Sequence, residues 1–173
     1  MLKPEMEAAL NRQFRQEQAA SHGYLGIAAH FEEQNLKGFS QFMRQQSDEE
    51  RMHALRIFDH IAARGGKIEM GALPAVATEY PSTLDAFKSA YAREQENTKS
   101  IHEVYALAVQ MQDYPSQTML QWFINEQVEE EEWCEEAIAL LELAGDDPGA
   151  LLQLDAKYGS TGGVGGAADA SGQ

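Results

Sequence analysis

Apolar residues recur in steps of three and four along four long stretches of the chain, the signature of α-helices that each bury one face. The first stripe reads Leu10, Phe14, Glu17, Ser21, Tyr24, Ala28, Phe31, and the second Phe39, Met43, Gln46, Glu50, His53, Ile57. The third runs Leu84, Phe87, Tyr91, Glu94, Thr98, Ile101, Tyr105, Ala108, and the fourth Leu120, Phe123, Gln127, Glu130, Cys134, Ala137, Leu141, Ala144. With four such stretches, the expected class is all-α.

Breakers bound these stretches. The first helix is predicted from about Glu5 to Glu33, ending near Asn35, and the second from about Gly38 to Arg64, stopped by Gly65-Gly66. Lys67 to Pro81 holds Gly71, Pro74 and Pro81 and reads as extended connection. Ser82-Thr83-Leu84-Asp85 resembles a capping box opening a third helix that lasts to about Gln112. Asp113-Tyr114-Pro115 interrupts the chain before a fourth helix from about Ser116 to Ala144. Gly145-Asp146-Asp147-Pro148 ends it and starts a short fifth helix, with Asp147 as N-cap. The tail from Gly159 is rich in Gly, Ala and Ser and is expected to be disordered, leaving residues 1–158 as one domain. Short links make helices one and two, and three and four, antiparallel hairpins. The second-to-third link is long enough to run the length of a four-helix bundle.

Bulk properties narrow the partners. Thirteen basic against 28 acidic residues leave a formal charge of −15, which repels nucleic acid and anionic lipid and attracts cations. Apolar runs fall far short of the roughly 20 residues that span a bilayer. Met1-Leu2-Lys3-Pro4-Glu5 is followed by no apolar segment of the signal-peptide kind, so a cytoplasmic location is expected. One cysteine, Cys134, excludes a disulfide framework or a Cys-x-x-Cys ribbon and reads as a small buried residue.

The stripes carry the candidate chemistry. Each has one carboxylate near its middle: Glu17, Glu50, Glu94 and Glu130. Burying an ionised carboxylate costs several kcal/mol unless it is compensated. Four converging in one core must therefore take up protons or bind cations. The bland alternative makes them solvated helix residues, but matched depth and apolar neighbours on the same stripes argue against it. His53 lies three residues after Glu50, on the same helix face, so the two can share an ion. Carboxylates with one imidazole suit iron, manganese or zinc, with oxygens enough to bridge two ions about 3.5–4 Å apart.

Glu49, Glu126 and Glu129 precede stripe positions by one. They form either a third cation position or part of a solvated run continuing through Glu132. Tyr24, one heptad beyond Glu17, is placed near the cluster, to pack, to donate a hydrogen bond or to supply an electron. Trp122 and Trp133 read as packing residues.

Several segments resemble bacterial non-haem ferritins, over about residues 1–158. They are Met1-Leu2-Lys3-Pro4-Glu5-Met6, Glu49-Glu50-Arg51-Met52-His53, Asp113-Tyr114-Pro115, Leu120-Gln121-Trp122-Phe123 and Glu126-Gln127-Val128-Glu129-Glu130. One long crossover between two helical hairpins is also the connectivity of ferritin-like folds. The resemblance implies a first iron at Glu17, Glu50 and His53 and a second at Glu50, Glu94 and Glu130. It implies a hydrogen bond near the pair from Gln127, Tyr24 beside it, and a third iron at Glu49, Glu126, Glu129 and Glu130. It further implies a homo-oligomeric cage of 24 subunits, the fifth helix lining four-fold channels. Such a cage oxidises Fe(II) with O2 or peroxide and stores ferric mineral.

Two departures from bacterioferritins matter. Their second Glu-x-x-His is absent, Glu130 standing at the His position, and Met52 is one residue later than their haem-ligating Met. One residue turns a helical side chain by about 100°, so no haem is expected. The expected function is iron storage with ferroxidase activity. Rivals are a di-iron redox enzyme of rubrerythrin or oxygenase type and a metal-free helical interaction module. The single cysteine disfavours a rubrerythrin, whose usual rubredoxin domain carries paired Cys-x-x-Cys motifs. The miniature DNA-protecting ferritins take their ligands from two subunits, unlike the single-chain set here.

Overall fold

The computed structural model describes residues 2–160 and contains five helices: α1 (Pro4–Glu33), α2 (Lys37–Ala63), α3 (Thr83–Gln110), α4 (Tyr114–Ala144) and α5 (Pro148–Ser160). α1 pairs with α2 and α3 with α4, and the hairpins are joined by the expected crossover, residues 64–82. Asn11 in α1 holds this connection: its side chain donates to the Lys67 carbonyl at 2.8 Å and accepts from the Glu69 amide at 2.8 Å.

Helix ends follow local chemistry. At the start of α3, the Ser82 hydroxyl oxygen accepts from the Asp85 amide at 3.0 Å while its proton goes to the Asp85 carboxylate at 2.7 Å. α1 and α3 are each followed by a non-glycine residue in the left-handed region, Asn35 (φ 58°) and Gln112 (φ 53°), and α2 by Gly65 (φ 69°). α4 starts two residues earlier than predicted. Pro115 sits in its first turn, where the missing N–H costs nothing, and Asp113 is the N-cap.

α5 is more integral than the sequence suggests. The start of α2 has no cap of its own, and Asp155 of α5 supplies one by accepting from the Phe39 amide at 2.8 Å. Tyr158 packs its ring against Phe39, Phe42 and Phe87 in tilted and edge-on contacts. The helix runs through Gly159 to Ser160, past the expected boundary at 158. A Cβ on Gly159 would lie 2.8 Å from the Gly38 backbone, so glycine here permits a close crossing rather than ending the helix. The rest of the tail, 161–173, lies outside the described residues.

The apolar interior is divided. One cluster gathers Tyr24, Ile27, Phe31, Phe39, Phe42, Phe87 and Trp133 toward the α5 end; the other gathers Met6, Leu10, Phe14, Ile57, Ile101, Leu120 and Phe123 toward the opposite end. Between them lies a layer of buried polar side chains from all four long helices: Gln13, Glu17, Glu50, His53, Glu94, Asn97, Gln127 and Glu130. Each stripe contributes apolar residues to both clusters, which thus seal the acids from both ends.

Candidate metal centre

Glu17, Glu50 and His53 come together in this layer. Each offers one ligand atom, and the three atoms lie within 4.8 Å of one another. All three side chains are buried. Neither Glu50 oxygen has a hydrogen-bond partner among the described residues, nor does His53 Nδ1, which faces Glu50 Oε2 at 3.5 Å. Orphaned buried acceptors of this kind are rare in folded proteins and call for a bound cation, proton or water. The donor set, hard carboxylate oxygens and one imidazole, fits a divalent ion such as Fe(II).

The other two predicted ligands close the layer from α3 and α4. Tyr24 donates its hydroxyl to Glu94, and the Gln127 amide donates to Glu94 Oε2 at 3.3 Å and to its backbone carbonyl at 3.3 Å. The Trp133 indole donates to Glu130 Oε2 at 2.6 Å. Tyr24 therefore bonds into the site as well as packing. Trp133 does more than its sequence position suggested, because three residues from Glu130 puts it on the same helical face.

Burial and crowding shift the protonation of these acids. Burial, then the Glu94 and Glu17 charges, pushes the Glu50 carboxyl well above the usual carboxylate range. Burial raises Glu94 to about 7, against the hydrogen bonds from Tyr24 and Gln127. Glu130 is raised by burial and by Glu94, against the Trp133 bond. His53 is lowered by burial, which favours the neutral imidazole that binds metal, although the Glu17 charge opposes this. Its ring is fixed edge-on to Trp122 and Phe123, at 5.2 and 5.8 Å between centroids. Burial pushes the Cys134 thiol far up, in keeping with an inert core residue.

Glu49 and Glu126 are half-buried and Glu129 is exposed, so the three are partly solvated. Burial and the Glu126 charge raise Glu49, and burial and the Glu129 charge raise Glu126. Both Glu49 and Glu126 also act on Glu130, placing this acidic group beside the buried layer.

Sequence reasoning missed Gln13 and Asn97. Both are fully buried and both donate to Glu17. Their spacing was the available signal: Gln13 is four residues before Glu17, and Asn97 three after Glu94.

A family model described as a ferritin-like domain matches residues 7–144, which include every residue of this layer. The chain belongs to the ferritin family. It is 39% identical over 147 residues to a bacterial non-heme ferritin of Staphylococcus haemolyticus, covering 85% of this chain and 89% of that one. It is 36% identical over 160 residues to that of Staphylococcus aureus strain USA300, covering 92% and 96%. Among solved structures, an open-pore ferritin from Archaeoglobus fulgidus superposes with a TM-score of 0.92 at 39% identity, covering 93% of this chain and 99% of that one. An engineered closed form of the same ferritin gives 0.91 at 39% identity, covering 93% and 98%. Iron storage with ferroxidase activity is the function that this membership supports. No helix among the described residues is long and apolar enough to cross a membrane.

Proposed function

We propose that this ferritin oxidises Fe(II) at the buried layer and stores the ferric product in a cage of 24 identical subunits in the cytoplasm. Fe(II) is the substrate. The first ion is held by Glu17, Glu50 and His53 and the second by Glu50, Glu94 and Glu130, with Glu50 between them. The observation that carries this reading is the unpartnered pair of Glu50 oxygens at the meeting point of the acids.

The residues divide the work. Crowded carboxylates lose their mutual repulsion when two divalent ions enter, so the site gains most from a pair. Each Fe(II) gives up one electron, and a pair delivers the two that take O2 to the peroxide level. Hard anionic oxygens favour Fe(III) over Fe(II), which adds driving force. Tyr24 and Gln127 orient Glu94, and Trp133 orients Glu130. Glu49, Glu126, Glu129 and Glu130 form a third position beside the pair. The exposed acids account for much of the negative charge that gathers cations.

Size-exclusion chromatography combined with an aerobic Fe(II) absorbance assay tests the proposal. A cage-sized particle that develops ferric absorbance is expected. A small species, or Fe(II) oxidised only at the rate in buffer, contradicts it.

A further inference from the structure

Glu17 differs from the other acids because both its oxygens are held by amides. Gln13 Nε2 donates to Glu17 Oε1 at 2.7 Å and to Asn97 Oδ1 at 2.7 Å. Asn97 Nδ2 donates to Glu17 Oε2 at 3.0 Å. The Ser100 hydroxyl donates to Gln13 Oε1 at 2.5 Å. Gln13, Glu17 and Asn97 are all fully buried, so water does not compete for these bonds.

The ring has one consistent direction. Turning the Gln13 amide over would set its oxygen against a carboxylate oxygen and against Asn97 Oδ1, both at 2.7 Å. Turning Asn97 over would set its oxygen against Glu17 and its nitrogen against the Gln13 nitrogen. Donation therefore runs from Ser100 to Gln13, from Gln13 to Asn97 and Glu17, and from Asn97 to Glu17. It ends on a group that accepts at both oxygens. An amide proton occupies one acceptor direction on each oxygen and leaves the other for a cation. Glu50, whose oxygens accept from no amide or hydroxyl, is the opposite case: one carboxylate of the trio is held by donors and one is not.

We infer that Gln13 and Asn97, set by Ser100, are positioning residues that fix Glu17 in a cation-ready orientation and so strengthen cation binding at the Glu17–Glu50–His53 position. This rests on the metal-centre reading above. Partners of metal ligands commonly change metal affinity by about 10- to 100-fold when removed, and Gln13 and Asn97 each donate to one oxygen of Glu17.

The test is an anaerobic Co(II) titration of the assembled, iron-free protein, read by the visible absorption of the bound ion. An ion with an imidazole ligand is distinguishable from one bound by oxygens alone. Asn97→Leu is expected to weaken the imidazole-ligated ion by about 10- to 100-fold and the other by less than about 3-fold. Ser100→Ala, which keeps both donors to Glu17 and loosens only Gln13, is expected to weaken the first ion by about 3-fold, and Ser100→Thr to restore it. If Asn97→Leu fails to assemble, the Ser100 pair carries the test. Wild-type binding with no change in these variants, or with equal loss of both ions, overturns the positioning role and leaves the metal centre standing. No Co(II) binding by the wild type overturns the metal centre itself.

Discussion

The indole N–H of Trp133 donates to Oε2 of Glu130 at 2.6 Å, tying a ring of the apolar cluster at the α5 end to a carboxylate of the polar layer. The same ring lies 6.3 Å from Tyr24, whose hydroxyl donates to Glu94. Two aromatic neighbours thus steady the two acids assigned to the second iron. Trp133→Phe keeps the ring contacts and removes the donor. It should weaken the second bound cation by about 10-fold and leave the first nearly unchanged, as isothermal titration with Zn(II) would show.

Tyr24 lowers Glu94 through its hydrogen bond, against the upward push of burial. Tyr24→Phe removes that bond, so Glu94 should titrate above its present value of about 7. Cation binding requires the carboxylate, and the pH midpoint for binding the second ion should move upward. An unchanged midpoint would show that the hydroxyl is irrelevant to Glu94.

Stability should depend on pH in a direction set by these acids. Glu50, Glu94 and Glu130 have folded-state pKa values above that of an unfolded carboxyl, so the folded state binds more protons than the unfolded one. Their contribution is fully present below about pH 4.5 and is lost as pH rises, for Glu94 through about 7. Without metal, this contribution makes the protein melt at a lower temperature near pH 8 than near pH 5.5. Zn(II) should raise the melting temperature most at the higher pH. Glu94→Gln, neutral throughout, should flatten the metal-free slope in differential scanning calorimetry.

At the far end of the bundle, Arg64 at the end of α2 meets Asp113 at 2.6 Å, and the same carboxylate accepts from the Ser116 amide at 3.3 Å. Burial alone would push Asp113 up, but the bonds from Arg64 and Ser116 bring it below the usual range. Asp113→Ala removes both a helix cap and a largely buried ion-pair partner, and should cost about 2–4 kcal/mol in unfolding experiments. Asp113→Asn keeps a capping oxygen and should cost about half as much.

The acids were legible in the sequence because a charge on an apolar stripe is costly and therefore conspicuous. Glu17, Glu50, His53, Glu94 and Glu130 all lie in the layer that their stripes predicted. Gln13 and Asn97 were not, since a neutral amide one position before a stripe looks like ordinary solvated surface. Only the fold reveals that α1 and α3 approach closely enough to bury both. Pro115 and Gly159 misled for a related reason. Each commonly breaks a helix, but Pro115 occupies a first turn and Gly159 a close helix crossing, and the crossing is a tertiary fact.

The central claim is that Glu50 joins two iron positions into one oxidising site. Its most direct test is stopped-flow absorbance after mixing Fe(II), two ions per chain, with oxygenated wild-type protein and with Glu50→Ala. Rapid ferric absorbance in the wild type and a rate at least about 100-fold lower in the variant are predicted. Oxidation at the wild-type rate in Glu50→Ala would contradict the account.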